Sequence, residues 1–71
     1  MQKYIVEGGI KAEQPATVVL GVIKSGSLNM VAYQHASGDT TSVRYTMPEL
    51  MFDTEIAANE RRDAMNAKLG I

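Results

Sequence analysis

The sequence contains no cysteine among its 71 residues, which excludes disulfide bonds and thiolate metal sites as sources of stability. It also lacks an excess of one charge, because seven basic and eight acidic residues leave a net charge of −1. Such a chain has no bulk attraction to nucleic acid or to anionic membranes. No segment approaches the roughly 20 apolar residues of a membrane helix, and the first residues lack the apolar run of a signal peptide. We therefore expect a cytoplasmic protein.

What the chain does contain is a globular share of apolar residues, 45% of the sequence. That share argues against intrinsic disorder. A length of 71 residues leaves room for one small domain, residues 1–71, with a single core. A domain of this size without disulfide or metal commonly gains stability from oligomerisation or from a bound partner.

Short segments rich in Val, Ile, Thr and Tyr alternate with turn-forming residues over the first two thirds of the chain. This pattern is typical of β-strands in an antiparallel sheet. It predicts a meander of three or four strands, which we place at about 3–7, 16–24, 28–35 and 40–46.

The rest of the chain has the signals of a helix. Thr46 and Glu49 have capping-box spacing, and Gly70 follows the last predicted turn. We expect a helix over about 47–69 packed on one face of the sheet, which makes the fold class α+β. A break near Asp53, before a second N-cap at Thr54, is the alternative. A continuous helix would carry a second apolar stripe, formed by Phe52 and Ile56.

Turn positions predict which side chains share a face of the sheet. With two-residue turns at Ser37-Gly38 and Ser25-Gly26, one face is apolar and the helix should cover it. It holds Leu28, Met30, Ala32, Val43, Tyr45, Val19 and Ile23. The opposite face holds Val18, Leu20, Val22, Val31, Tyr33, His35 and Arg44. A three-residue turn between the second and third strands would exchange the two sets of strand 16–24.

Either assignment leaves large aliphatic side chains on the face without the helix. An exposed patch of several hundred Å² is unusual for a soluble monomer. The sheet can curl into a small barrel, the N-terminal strand and residues 10–15 can fold over the face, or a second subunit can cover it. We expect a non-enzymatic protein-interaction module of the adaptor or inhibitor type that docks on another protein. It should form a homo-oligomer, with a dimer favoured, through the apolar sheet face or the second helix stripe. The predicted interface residues are Val18, Leu20, Val22, Val31, Tyr33, Phe52 and Ile56.

Two alternatives remain open at this point. Tyr33, His35 and Arg44 on one sheet face resemble the aromatic and basic platform on which single-stranded DNA or RNA stacks. A pocket between sheet and helix, lined by Met30, Tyr45, Met51 and Phe52, would instead bind a small ligand.

The sequence predicts no catalytic site, metal site or cofactor. His35, Ser37 and Asp39 lie in one tight turn, where Ser37 and Asp39 are turn formers and a catalytic triad lacks supporting packing. A single histidine and no cysteine provide too few ligands for structural zinc. The glycines in "VEGGIK" match neither a dinucleotide-binding fingerprint nor a P-loop.

Overall fold

A computed structural model of the chain describes residues 1–38 and 42–71. It contains a curled antiparallel sheet of five strands followed by one C-terminal helix that packs on the sheet. The predicted α+β class and antiparallel meander are confirmed, but the sheet has five strands rather than three or four, because two residues of the predicted helix form an additional edge strand. The strands are β1 (Gln2–Glu7), β2 (Thr17–Gly26), β3 (Val31–His35), β4 (Arg44–Thr46) and β5 (Met51–Phe52), and the helix is α1 (Glu55–Lys68).

The strand order in the sheet is β4-β3-β2-β1-β5, so that β4 and β5 are the two edges. Only residues 47–50 connect these edges, and a 3₁₀ turn, Pro48–Leu50, occupies most of the connection. In a flat sheet of five strands, the four interstrand spacings would place the two edge strands about 19 Å apart. Five peptide links reach roughly 18 Å when fully extended, and a 3₁₀ turn is much shorter. The sheet must therefore curl.

The curl buries the inner face of the sheet. Ile5, Val31 and Tyr33 are 0%, 4% and 3% exposed, and Gly21 lies between Ile5 and Tyr33. Of the three coverings considered above, the chain thus uses curling. Val31 and Tyr33, predicted as interface residues, lie inside the protein.

Helix α1 packs against the outer face of β1, β2 and β5. The core beneath it is formed by Val6, Ala16 and Ala58, with Met65 packed against them. Asn66 fixes the far end of the helix, because its side chain accepts a hydrogen bond from the Ala16 amide at 2.7 Å and donates one to the Ala16 carbonyl at 3.2 Å.

The continuous helix over 47–69 is wrong. The alternative N-cap at Thr54 is confirmed, but the residues before it form a 3₁₀ turn and β5 rather than a first helical segment. Thr54 is the N-cap of α1, and its hydroxyl accepts a hydrogen bond from the Ala57 amide at 3.2 Å. Met47 is extended, as a residue before proline prefers to be. Phe52 therefore belongs to β5 and packs against the helix core. The second apolar stripe of the predicted helix does not exist.

The turn between β2 and β3 differs from the predicted one. β2 continues to Gly26, the Ser27 amide donates to the Met30 carbonyl at 2.8 Å, and the turn lies at Leu28-Asn29. The pairing also shifts between Ile23 and Ser25, at a bulge. As a result Ile23 pairs with Tyr33 on the inner face, whereas Val18, Leu20 and Val22 lie on the outer face. The two faces of strand 16–24 are therefore the reverse of those predicted from a two-residue turn at Ser25-Gly26.

The β3–β4 pairing is displaced by two residues from the predicted one, and the face assignment survives because the displacement is even. A two-residue turn at Ser37-Gly38 predicts Tyr33 opposite Ser42 and Ala32 opposite Val43. In the structure Tyr33 is opposite Arg44 and Ala32 is opposite Tyr45. Thr40 and Thr41, the first residues of the predicted strand 40–46, lie outside the described residues, as does Asp39.

We expect a methyl group at Gly21 to destabilise the protein. The added Cβ would lie 2.5 Å from Ile5 Cδ1 and 2.9 Å from Tyr33 Cδ2, which overpacks the interior of the curled sheet. Gly21→Ala should lower the free energy of unfolding by about 1–3 kcal/mol in urea titrations. The matched control is Gly26→Ala in the same strand, where the new Cβ meets Val31 at 3.5 Å. That change should alter stability by less than about 1 kcal/mol, and equal losses would contradict the packing.

Candidate functional site: a cleft beside β4 and an uncovered sheet face

A cluster of polar side chains lies on the inner face of the sheet around Glu7. The Tyr33 hydroxyl donates a hydrogen bond to Glu7 Oε2, and His35 Nε2 lies 2.8 Å from the same oxygen. The rings of Tyr33 and His35 stack with their centroids 6.3 Å apart. Alternate positions of β3 place both rings on the same face, and the curl brings them to the last residue of β1.

The cluster holds Glu7 as a carboxylate. Partial burial alone raises the pKa of Glu7, but hydrogen bonds from Tyr33 and His35 and the nearby charge of Arg44 outweigh it and lower the pKa below 4.5. Burial and the adjacent carboxylate raise the pKa of Tyr33 above its ordinary value. The phenol therefore stays protonated and can serve as the donor to Glu7.

A cleft of about 600 Å³ lies beside this cluster, between β4 and the end of β1. One wall is the consecutive run from Arg44 to Met47, and the other is the run from Val6 to Gly8. Leu50 of the 3₁₀ turn and Ile10 of the loop after β1 also line it, and Tyr33 lies between the walls. The cleft is the gap that remains where the curled sheet does not close.

The outer face of β3 and β4 is the second feature. It carries Ala32 and Tyr45, flanked by Met30 and Val43, which we assign above to the core beneath the helix, whereas Val19 and Ile23 of that set lie on the inner face. That assignment is wrong, because α1 packs on β1, β2 and β5. We name the exposed members of the set the hairpin patch: Leu28 at 94%, Met30 at 51%, Val43 at 47% and Tyr45 at 64% exposure.

The predicted interface residues do not form one surface. Val31 and Tyr33 are inside, and Phe52 packs in the core under α1. Val18 is half-buried and packs against the same core, and Val22 is also half-buried. Of the seven predicted residues, Leu20 and Ile56 are the two classed as exposed, at 37% and 72%.

The three residues of the predicted nucleic-acid platform do lie together, since Tyr33 is opposite Arg44 and stacks on His35. The Tyr33 ring is 3% exposed, however, and its hydroxyl is bonded to Glu7. A base cannot stack on that ring without opening the curled sheet.

The predicted ligand pocket is divided in the structure. Met30 and Tyr45 line the cleft beside β4 and a smaller depression beside Gly26. Met51 and Phe52 belong to β5 and line neither cavity. A pocket formed by all four residues is therefore not present in the described part of the chain.

Two further findings concern residues 1–38 and 42–71 alone. Within these ranges no three His, Asp or Glu side chains are grouped so that they could hold a metal ion. The same part of the protein contains no helix with the length and apolar character needed to span a membrane.

Sequence reasoning missed Glu7, the centre of the polar cluster. Its signal is a single acid that follows Tyr4, Ile5 and Val6, directly before Gly8-Gly9. Glu7 can be recognised as the centre of a cluster only when Tyr33 and His35 are known to lie on its face of the sheet. That placement depends on the β2–β3 register, which the sequence does not fix.

In comparisons with protein-family models, with curated proteins and with solved structures, this chain matches none of them.

The lowered pKa of Glu7 predicts how stability depends on pH. The stabilisation is fully present above pH 4.5, the ordinary value, and is lost as pH falls through the lower pKa of the folded state. The difference in unfolding free energy between the wild type and Glu7→Gln should therefore shrink below pH 4.5 in urea titrations. In a Tyr33→Phe background, which removes one donor, the pH-dependent part should be smaller. Parallel curves for the wild type and Glu7→Gln down to pH 3 would refute the assignment.

Proposed function

We propose that this chain is a non-enzymatic protein-interaction module that self-associates as a dimer through the hairpin patch. The observation that carries the proposal is the exposure of the patch. Four large apolar side chains, two just before β3, one just before β4 and one in β4, are 47–94% exposed, and such a group is typical of an interaction surface.

The position of the patch supports a face-to-face contact. Helix α1 covers the other half of the outer face, so the patch is the half that remains available. Two sheets pack about 10 Å apart through interdigitated apolar side chains. A two-fold axis through the patch would set Met30 and Tyr45 of one copy against the same residues of the second, an isologous contact.

Charge does not oppose this association. The chain has a net charge of −1, so that two copies repel each other only weakly. The four patch residues are themselves uncharged, and no charged side chain would have to lose its hydration at the centre of the contact. We place the dimer in the cytoplasm, because a cysteine-free chain suits a reducing compartment.

Light scattering at several protein concentrations tests the proposal. The wild type should give twice the chain mass of 7.7 kDa, and Tyr45→Lys or Met30→Lys should return it to one chain mass. The reason is that a buried, unpaired ammonium group costs several kcal/mol.

Ile56→Lys is the matched control. Ile56 is exposed on α1, outside the hairpin patch, and the variant should keep the mass of the wild type. Circular dichroism establishes that each variant is folded. A wild type of one chain mass at the highest concentration refutes self-association. A dimer that Ile56→Lys dissociates and Tyr45→Lys does not would place the contact on the helix instead.

A further inference from the structure

The cleft between β4 and β1 is bounded by two strand edges. β4 pairs with β3 on one side, and no described strand pairs with its other side. β1 pairs with β5 only at Tyr4 and Ile5, and the residues before β5 form the 3₁₀ turn Pro48–Leu50, so no described strand other than β2 pairs with β1 at Val6 and Glu7. The backbone runs from Arg44 to Met47 and from Val6 to Gly8 thus line one cavity without a strand between them.

Unpaired strand edges select their occupant by backbone geometry. The edge of β4 and the edge of β1 at Val6 and Glu7 present amide and carbonyl groups at the spacing of a strand, whereas Gly8, with φ at 75°, lies beyond the strand. Only an extended peptide supplies matching donors and acceptors. A helix has already used its backbone groups internally. Because β1, β2, β3 and β4 are successive antiparallel strands, β1 and β4 run in opposite directions. An inserted strand would therefore run antiparallel to one wall and parallel to the other.

Charge on the walls selects the side chains of the inserted strand. Arg44 is exposed, lines the cleft, and has no hydrogen bond or ion pair within the described residues. Glu7 across the cleft is already held by Tyr33 and His35. The charge of Arg44 also acts on Glu7, so the walls carry no net charge. Arg44 nevertheless offers hydrogen-bond donors that have no acceptor among the described residues, and a guanidinium group pairs best with a carboxylate. Met47 and Ile10, exposed at 47% and 83% and outside the hairpin patch, offer apolar contacts around it.

We propose that the cleft binds an extended segment of a partner protein, with an acidic residue facing Arg44 and apolar residues beside it, as a sixth strand between β4 and β1. The site differs from the self-association surface, because it uses the free edge of β4 rather than the outer face of the hairpin. Side chains of an inserted strand alternate between the two sides, so acidic and apolar residues should alternate within the segment.

A random 12-residue peptide library displayed on phage and selected against the full chain tests the inference. Enriched peptides should alternate apolar and acidic residues. The most enriched peptide, made synthetically, should bind Arg44→Glu at least about tenfold more weakly, which corresponds to about 1.4 kcal/mol. Arg61→Glu, an exposed position on α1, is the matched control and should bind as the wild type does.

Hydrogen exchange with the same peptide bound measures the backbone contacts. Amide exchange should slow at least about tenfold in Arg44–Thr46 and at residues 6–8, whereas residues 62–68 of α1 should be unchanged. Failure to enrich any peptide, equal binding to Arg44→Glu, or protection at neither edge or at one edge alone would overturn the inference. If the chain forms the dimer but binds no peptide in the cleft, the peptide-binding proposal is refuted and the self-association proposal is unaffected.

Discussion

The fold depends on the short connection between the two edges of the sheet. Residues 47–50 cannot reach from β4 to β5 across a flat sheet, and so the sheet curls around Ile5, Gly21 and Tyr33. The described residues contain one α-helix, which covers only one face of the sheet. Curling lets one helix suffice, since the sheet itself covers its inner face. The cost is an incomplete closure, which leaves the cleft beside β4.

Curling also explains why a cluster of polar side chains lies on the inner face of the sheet and exposed apolar side chains lie on its outer face. At the open end of the curled sheet Tyr33, His35 and Glu7 satisfy one another, so a polar group can be half-buried without an unpaired charge. Over the described residues no buried side-chain nitrogen or oxygen lacks a hydrogen bond. The outer face of β3 and β4 lies beyond the reach of α1 and stays apolar and exposed.

Local signals in the sequence predicted the elements but not the way they assemble. Valine- and tyrosine-rich segments identified β1 to β4, and Thr54 marked the true start of α1. Both predictions depend on neighbouring residues alone. The exposed and buried faces were assigned the wrong way round because that choice depends on the bulge near Ser25 and on the path of the chain to β5. β5 itself has only two residues, which is too short to leave a pattern.

The polar cluster around Glu7 also depends on the assembly of the strands, which local sequence signals do not predict. Tyr33 and Arg44 were correctly placed on one face, because an even displacement of the β3–β4 register preserves the pairing of faces. Glu7 is 26 residues from Tyr33 in the sequence, and only the three-strand path through β2 brings them together. The cleft lies between the edges of β4 and β1, and no local sequence pattern predicts that these two edges lie close together.

The inside and the outside of the curled sheet can be distinguished directly, because the chain has no cysteine of its own. Single-cysteine variants Val31→Cys and Val43→Cys, in β3 and just before β4, can each be titrated with a thiol reagent under native conditions. The curled sheet predicts that the cysteine at position 43 reacts at the rate of an exposed thiol, while the one at position 31 reacts only after unfolding. Fast reaction at 31 with protection at 43 would contradict the account.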